Sequence, residues 1–320
     1  MCKAFGPPEN LVVEEVDEPR PDAGQVLVDV RAAAVTFPDT LMLEDKYQFK
    51  APPPYIPGGE VAGVVAEVGE GVTTVSVGDR VVGGLGVIGG FAERAVVPAA
   101  GARVLPDTVG FAESTGLNYA YGTSLYGLKY RGKLQPGETM LVLGAGGNVG
   151  LSAVELGVLM GARVIAAAST QEKLDLCRER GADDVINYDT EDLKERAKEL
   201  TNGEGCDVIY DCVGGDYAEA ALRATAWEGR FLVIGFTAGI PSIPLNLTLL
   251  KGCDIVGVFY GAMTARDPEL RDAVSAELID LTASGKLRPH VSGRYPLERA
   301  GEALRSLMDR TAVGKVVVEP

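Results

Sequence analysis

The stretch from Glu138 to Gly161 constrains the fold of this chain more than any other. It opens with an apolar run, Thr139–Leu143, that has the length of a buried strand, and it breaks into the glycine-rich sequence GAGGNVG at 144–150. Apolar residues at helical spacing follow. Strand, glycine turn and helix begin a dinucleotide-binding unit, where a pyrophosphate approaches the free N–H groups of a helix. A tight turn in another α/β fold is the alternative interpretation.

Composition limits the class of protein. The chain has 320 residues, enough for a large core and two domains, with 46% hydrophobic and 23% charged residues. Its net charge of −15 argues against nucleic acid or an anionic membrane as a partner. Local cations and helix ends can still hold an anionic cofactor.

Cysteine usage and the absence of long apolar runs predict a cytoplasmic protein. The five cysteines are scattered, odd in number and form no C-x-x-C pair, which is typical of free thiols in a reducing compartment. No N-terminal segment resembles a signal peptide, and no apolar run has the length of a membrane span.

The chain changes character near residue 115. Before it, alternating runs such as Gln25–Arg31 and Val61–Val68 predict strands of a partly open β-barrel. After Thr139, strands and helices alternate as in a doubly wound sheet. Six strands are predicted, at 139–143, 163–168, 185–188, 207–210, 230–234 and 254–259. Helices at 267–284 and 296–308 and a strand at 315–318 follow, so we expect the chain to return to the first domain.

Together these segments resemble the medium-chain dehydrogenase/reductase superfamily, in its zinc-free quinone oxidoreductase branch. The resemblance covers nearly the whole chain. It is carried by 32–72, VGDRVVG at 77–83, LQPGETMLVLGAGGNVGLSAVELG at 134–157, EKLDLCRERGADDVINY at 172–188, DVIYDCVGG at 207–215 and VGKVVVEP at 313–320. Thr36 stands where the family usually has asparagine, and Asn148 departs from the usual phosphate-loop sequence.

The resemblance implies an α/β protein with two domains. A GroES-like catalytic domain would comprise 1–117 and 264–320, and a Rossmann domain would comprise 118–263. A cleft between them would hold NADPH. The family also implies a homodimer and a small-molecule electrophile, a quinone or an enone, as substrate.

Zinc is the first alternative, since zinc alcohol dehydrogenases share this architecture. The places that match the catalytic ligands hold Thr36, Gly59 and Tyr119, and residues 83–100 contain no cysteine for a structural zinc. The single histidine, His290, is predicted to be a surface residue rather than a ligand. We therefore expect no metal, and hydride addition to an already activated acceptor.

The cofactor is predicted from the end of the second strand. NAD-binding domains usually place an acidic residue there, about 20 residues beyond the glycines, but this strand ends in Ala-Ala-Ala-Ser at 166–169. Ser169 and Glu172 have the spacing of a capping box for the next helix. Lys173 would lie in the first turn of that helix, where a cation is unfavourable unless it meets an anion. The resemblance implies that Lys173, Tyr188 and Arg310 hold the 2′-phosphate of NADPH. Structural roles are the alternatives: a surface lysine, a packed tyrosine and a helix-terminal arginine.

The remaining cofactor contacts are predicted at the phosphate loop and at strand ends. The phosphate loop contributes Gly146, Gly147, Asn148 and Val149. Thr123 matches the family's contact to the nicotinamide carboxamide. Further candidates follow the fourth, fifth and sixth strands: Val213, Gly235, Phe236, Phe259 and Tyr260. Dimer packing is the alternative role of the last two.

Three residues are candidates for catalysis. Tyr47 matches the proton donor of related enoyl reductases, and the alternative is an aromatic residue at the pocket rim. Thr36 can donate to a substrate carbonyl. Asp39 is expected to bond the backbone rather than to take part in chemistry.

The sequence thus predicts an NADPH-dependent reductase of quinones or α,β-unsaturated carbonyls. An enoyl thioester reductase acting on a CoA- or carrier-linked substrate is the alternative within the enzymes. A nucleotide-binding protein without catalysis is the alternative outside them.

Overall fold

The computed structural model describes residues 1–320, which pack as two compact units. The first comprises Met1–Asn118 and Ile279–Pro320, and the second comprises Tyr119–Leu278. The second unit extends past residue 263, the limit predicted for the Rossmann domain. A salt bridge of 2.7 Å from Lys129 to Glu277 ties the added segment to it.

Thirteen strands form two sheets. The strands are β1 Gln25–Val35, β2 Glu60–Val68, β3 Arg80–Gly84, β4 Arg94–Pro98, β5 Ala102–Val104, β6 Thr139–Leu143, β7 Arg163–Ala168, β8 Asp184–Asn187, β9 Cys206–Asp211, β10 Thr225–Val233, β11 Asp254–Gly257, β12 Val291–Pro296 and β13 Lys315–Glu319. The α-helices are α1 Phe37–Leu43, α2 Phe111–Ser114, α3 Gly122–Leu125, α4 Asn148–Leu159, α5 Gln171–Glu179, α6 Leu193–Leu200, α7 Tyr217–Arg223, α8 Asn246–Lys251, α9 Tyr260–Arg266, α10 Pro268–Ala283 and α11 Ala300–Met308.

The first unit is built around β1. This strand pairs antiparallel with β2, β4 and β13, and the sheet runs in the order β12-β13-β1-β2-β3-β5. Alternate residues of β1, including Val26, Val28 and Val30, face one core cluster. Because β13 pairs with β1, with Val317 opposite Ala34, the C-terminal strand completes the sheet that the N-terminal half begins. The unit has the predicted GroES-like architecture.

The second unit is the predicted doubly wound sheet. Its six strands are all parallel and run in the order β11-β10-β9-β6-β7-β8. The order reverses between β6 and β9, the place where such sheets bind ligands at the strand C-termini. Leu141, Ile165 and Ile209 are fully buried, which explains why these strands are continuously apolar rather than alternating.

Several element limits differ from the predictions; β10, for example, begins at Thr225 rather than at 230. Two further differences lie where the chain enters a helix. The strand predicted at 254–259 ends at Gly257, because the chain turns into α9 at Tyr260. The helix predicted from 296 begins at Ala300, after a 3-10 turn at Leu297–Arg299 that follows Pro296. Proline favours the first turn of a helix but not its interior, so the later start of α11 agrees with the local sequence.

One part of the second unit is irregular. Two π-helical segments, Leu117–Tyr121 and Tyr126–Arg131, flank the single turn of α3. Such π-helical insertions are rare and often lie at functional sites. None of the helices is both long and apolar enough to cross a membrane.

Candidate cofactor and active site

The glycine-rich stretch after β6 forms a close-packed loop that leads into α4. Gly147 is the N-cap of α4, and its N–H donates to the carbonyl of Gly144 at 3.0 Å. A Cβ on Gly150 would lie 2.2 Å from that same carbonyl oxygen, so only glycine lets the helix approach the loop this closely. A Cβ on Gly147 would meet nothing closer than 3.5 Å. The space in front of the helix N-terminus is therefore open at Gly147, and Asn148 and Val149 present unbonded N–H groups there.

Lys173 packs directly on this loop. It is only 8% exposed, so the prediction's alternative of a surface lysine is wrong. A Cβ on Gly146 would lie 2.4 Å from Lys173 Cβ and 2.6 Å from its Cγ. Gly146 thus leaves room for the lysine stem, a role that the glycine pattern alone did not indicate.

The capping box predicted from Ser169 is wrong by one residue. Thr170 is the N-cap of α5, and its hydroxyl accepts from the N–H of Lys173 at 3.4 Å. Ser169, which directly follows β7, is therefore not the N-cap of α5. No carboxylate follows β7 before Glu172, so the strand end carries no acidic side chain.

Tyr188 and Arg310 lie in different units. Tyr188 follows β8, and its ring packs on that of Tyr217 with a centroid distance of 4.6 Å. Its N–H donates to the carbonyl of Ala168, which ties it to the end of β7. Arg310 lies beyond the C-terminus of α11 in the first unit, with a left-handed φ of +58°.

The ends of β6, β9 and β10 meet at one edge of the parallel sheet. Asp211 Oδ1 accepts from the N–H groups of Val213 and Gly214, at 2.8 and 2.9 Å. Burial raises the pKa of the Asp211 carboxyl, and those two donors partly offset the increase. A Cβ on Gly144 would lie 2.9 Å from Val213, which shows how closely the two strand ends approach.

The loop after β10 joins this edge. Gly235 donates its N–H to the carbonyl of Asp211 at 3.3 Å. A Cβ on Gly214 would lie 3.1 Å from the ring of Phe236. The structure therefore brings together Val213, Gly235 and Phe236, as their positions at strand ends predict.

Thr123 lies on α3 between the two π-helical segments. The neighbouring Gly122 is in close contact with Tyr260, since a Cβ there would lie 2.6 Å from the tyrosine ring. Tyr260 is 4% exposed and Phe259 is 50% exposed, so the two differ in environment. The Tyr260 ring is thus covered within the chain, while half of Phe259 is available for the dimer packing that is its alternative role.

Thr36 and Asp39 form a tight pair at the start of α1. The N–H and the hydroxyl of Thr36 donate to Asp39 Oδ2, at 2.7 and 2.6 Å. Asp39 Oδ1 accepts from the N–H of Gly58 at 3.2 Å. Burial raises the pKa of the Asp39 carboxyl to about 6, although these three donors favour its ionised form. Two of the three donors are backbone N–H groups, the kind of partner that the sequence favours for Asp39.

Tyr47 is half-buried beside an aromatic neighbour. Its ring lies 5.9 Å from that of Phe49, centroid to centroid, and it packs against the core of the first unit. Burial and the charge of Asp39 both raise the pKa of its hydroxyl. Tyr47 is therefore protonated at neutral pH, and its environment disfavours the tyrosinate.

Sequence reasoning missed a buried cation, Lys315 on β13. It is 1% exposed, and its ammonium donates to the carbonyl oxygens of Ala112 at 2.6 Å, Glu113 at 3.0 Å and Thr115. Burial lowers its pKa to about 7, and the charge of the buried Glu60 opposes that change. Glu60 in turn accepts from the N–H of Asn118 at 3.0 Å. A lysine beside three valines of one strand was the only signal available.

The ionisable side chains do not gather as metal ligands would. No group of three or more His, Cys, Asp or Glu residues is placed to hold an ion. His290 is half-buried rather than on the surface, and a Cβ on Gly314 would lie 2.8 Å from its ring.

Comparisons with known proteins cover the whole chain. Residues 22–107 match the alcohol dehydrogenase GroES-like domain, and residues 148–278 match the zinc-binding dehydrogenase family. A quinone oxidoreductase-like protein 2 homolog of Nematostella vectensis is 40% identical over 322 residues, covering 99% of this chain and 87% of that protein. A quinone oxidoreductase of Pseudomonas aeruginosa is 34% identical, covering 99% of this chain and 98% of that protein.

A solved structure agrees with the sequence matches. The crystal structure of Escherichia coli quinone oxidoreductase complexed with NADPH superposes with a TM-score of 0.91 at 30% identity, covering 99% of this chain and 98% of that one. The chain therefore belongs to the medium-chain dehydrogenase/reductase superfamily, in its quinone oxidoreductase branch, and is an oxidoreductase of that type.

Proposed function

We propose that this protein is an NADPH-dependent, zinc-independent oxidoreductase that transfers a hydride to a quinone or an α,β-unsaturated carbonyl, with a quinone favoured. The observation that carries the proposal is Lys173 packed on the phosphate loop beside a strand end without a carboxylate. NADPH in the crystal structure of the E. coli quinone oxidoreductase supports the same cofactor.

The residues present fit a dinucleotide. The open space at Gly147 and the N-terminus of the 12-residue helix α4 suit a pyrophosphate. Lys173, Tyr188 and Arg310 would hold the 2′-phosphate, while Ser169 would meet the ribose end. Contacts to the nicotinamide half would come from one group of residues: Thr123, Val213, Gly235, Phe236, Phe259 and Tyr260.

Bound NADPH supplies the hydride, and the chain supplies binding and orientation. Thr123 would hold the carboxamide and so fix the ring. Thr36 would donate to an acceptor carbonyl only by breaking its hydrogen bond to Asp39, because that carboxylate already accepts from the Thr36 hydroxyl at 2.6 Å. The structural role of Thr36 and Asp39 therefore competes with a catalytic one.

The environment of Tyr47 favours a quinone as acceptor. An enone reduced at its β-carbon leaves an enolate, which needs a proton from an acid whose anion is stabilised. Burial and Asp39 destabilise the Tyr47 anion instead. A reduced quinone can take its protons from solvent and needs no such acid.

Cofactor titration tests the proposal. Wild type should prefer NADPH over NADH by at least about tenfold. Lys173→Ala should weaken NADPH by about 10- to 150-fold, the strength of one charge-assisted hydrogen bond, and leave NADH nearly unchanged. Equal weakening of both cofactors would assign Lys173 to the fold or to the pyrophosphate. A wild type without NADPH preference would overturn the cofactor assignment.

An acceptor panel separates the candidate functions. NADPH oxidation should be fastest with 1,2-naphthoquinone, slower with 2-alkenals and slowest with crotonyl-CoA. A preference for crotonyl-CoA would instead support the enoyl thioester reductase. Cofactor binding without turnover of any acceptor would support a nucleotide-binding protein without catalysis.

Zinc independence has its own test. The places that match zinc ligands hold Thr36, Gly59 and Tyr119, and only one carboxylate, Glu60, adjoins them in sequence. Activity should persist in a chelator, and the purified protein should hold no stoichiometric zinc. Loss of activity on chelation with recovery on adding zinc would contradict this.

A homodimer is proposed from the edge of the parallel sheet. β11 is the terminal strand, and exposed apolar side chains lie on it and near it: Ile255, Leu245, Leu249, Leu250 and Phe259. Exposed edges and contiguous apolar surface are typical of pairing sites. Sedimentation should give twice the chain mass, and Ile255→Lys should give the monomer.

The cytoplasmic location stays a prediction; all five cysteines are free thiols.

A further inference from the structure

Three buried hydroxyl groups form a continuous network in the second unit. Ser124, Ser152 and Tyr210 are each fully buried. Ser124 Oγ lies 2.7 Å from Ser152 Oγ and 2.7 Å from the Tyr210 hydroxyl. Ser152 Oγ donates to the carbonyl oxygen of Val149 at 2.7 Å, and Ser124 Oγ lies 3.2 Å from the same oxygen. Ser124 is thus the centre of the network.

One assignment of the hydrogen atoms satisfies all three hydroxyls. In it the Tyr210 hydroxyl donates to Ser124, Ser124 donates to Ser152, and Ser152 donates to the Val149 carbonyl. The carbonyl of Ala120, 3.2 Å from Ser152 Oγ, is an additional acceptor. Ser124 is the one hydroxyl bonded to both of the others, so without it the Tyr210 hydroxyl loses its partner, while Ser152 keeps the carbonyl of Val149. Buried networks of this kind fix one arrangement of the segments they join.

The three segments that meet at Ser124 are those around the proposed nicotinamide site. Ser124 follows Thr123 on α3, between the two π-helical segments. Val149 and Ser152 lie in the first turns of α4, directly after the phosphate loop. Tyr210 precedes Asp211, whose carboxylate accepts from Val213 and Gly214.

We propose that Ser124 is a positioning residue that holds Thr123 in register with the phosphate loop and the end of β9, and so orients the nicotinamide for hydride transfer. This inference rests on the proposed function, because it takes NADPH as the cofactor and Thr123 as its carboxamide contact. Tyr210 and Ser152 act through Ser124 and touch no cofactor themselves.

The position of the network predicts that loss of Ser124 affects the rate of hydride transfer more than the affinity for NADPH. Of the groups proposed for the phosphates, Gly147, Asn148 and Lys173 are not part of it, and Val149 takes part through its carbonyl oxygen rather than through the N–H that would meet the pyrophosphate. Loosening α3 should therefore leave most of the NADPH affinity intact while the nicotinamide gains freedom. Misplacement of a reacting group by about 1 Å can cost about 100-fold in rate.

The experiment compares Ser124→Ala, Ser124→Cys and a matched control, Thr201→Val. Thr201 is also a buried hydroxyl of the second unit, and it accepts from the N–H of Gly205 at 3.0 Å, but it is not in the network. The readouts are the NADPH dissociation constant, the fluorescence lifetime of bound NADPH, the single-turnover rate with 1,2-naphthoquinone, and amide hydrogen exchange of the protein without cofactor.

Ser124→Ala should change the dissociation constant less than about threefold, shorten the lifetime of bound NADPH, and lower the single-turnover rate by about 10- to 100-fold. Amide exchange should increase in 117–131 and 148–152. Ser124→Cys, which keeps the shape and a weak hydrogen bond, should lie between Ala and wild type. Thr201→Val should match wild type in rate and lifetime, with faster exchange only near 197–206.

Two results would overturn the inference while leaving the proposed function standing. One is a Ser124→Ala protein with wild-type rate and lifetime. The other is a loss of rate that Thr201→Val shares, which would mean general destabilisation. A wild type that does not bind NADPH would overturn the proposed function and this inference together.

Discussion

The two units hold their candidate functional residues by different means. In the first unit, buried charged groups fix the chain: Asp39 holds Thr36 and Gly58, and Lys315 holds three carbonyl groups of 112–115. In the second unit, close glycine packing shapes the phosphate loop, and neutral hydroxyls tie α3 to α4. Buried charges titrate and neutral hydroxyls do not. Asp39 and Lys315, whose pKa values burial moves to about 6 and about 7, both lie in the first unit, so we expect a response to pH near neutrality there.

The largest expected effect is that of Lys315→Met. The substitution removes a buried cation and leaves Glu60 and three carbonyl groups without it, which typically costs about 3–5 kcal/mol. Amide exchange of β1, β2 and β13 should show the loss. Fluorescence of Trp227, the only tryptophan, reports unfolding of the second unit. The transition that it follows should shift less than the stability of the first unit. Lys46→Met, which removes an exposed ion pair with Glu44, is the control and should cost under about 1 kcal/mol. Equal shifts in both units would contradict the comparison.

The next effect separates the two glycine roles in the phosphate loop. Gly150→Ala places a Cβ 2.2 Å from the Gly144 carbonyl, so the backbone must move, at a cost of about 1–3 kcal/mol. Stability of the second unit and affinity for both NADPH and NADH should fall. Gly147→Ala meets nothing within 3.4 Å, so it should keep the stability and still weaken both cofactors. Unchanged affinity in Gly147→Ala would show that no pyrophosphate lies there.

The pH dependence of the first unit should have two opposite slopes. The Asp39 pKa is raised from 3.8 to about 6, so the folded state binds more protons in that window and stability falls as the pH rises through it. The Lys315 pKa is lowered from 10.5 to about 7, so the unfolded state binds more protons above pH 7 and stability rises there.

Each slope can be assigned by a variant that does not titrate. The stability difference between wild type and Asp39→Asn should decrease from pH 4 to 6 and then stay level. The difference between wild type and Lys315→Met should grow from pH 7 to 9. Denaturant unfolding followed by amide exchange in β1 and β2 measures both. Parallel curves for wild type and variant would refute the assignment concerned.

The smallest effect is expected for Tyr47→Phe. Since burial and Asp39 disfavour its anion, we expect losses under about threefold with both quinone and enone acceptors. Steady-state rates with 1,2-naphthoquinone and a 2-alkenal measure this, with Tyr55→Phe as a control in the same unit. A selective loss of about 100-fold or more on the enone would establish Tyr47 as a general acid.

Much of the fold follows from local sequence. The apolar runs at 139–143 and 163–168 are long enough to be strands and are bounded by turns, so their limits were predicted to the residue. The phosphate loop was predicted from its glycines, because a tight strand–helix turn requires glycine at that spacing. The absence of an acid after β7 is likewise a property of sequence alone, and it predicts the cofactor without coordinates.

Other features depend on contacts between distant segments. Sequence predicted Lys173 as a phosphate contact with a surface lysine as the alternative, but it gave no sign that the lysine stem is buried on Gly146. Ser124, Ser152 and Tyr210 are separated by up to 86 residues, and no periodicity marks them as neighbours. Lys315 lies 200 residues from the carbonyl of Thr115, which it holds. Sequence determined the elements and the type of loop, because these depend on neighbours along the chain; burial and the pairing of polar groups were decided by the tertiary structure, because they depend on which segments meet.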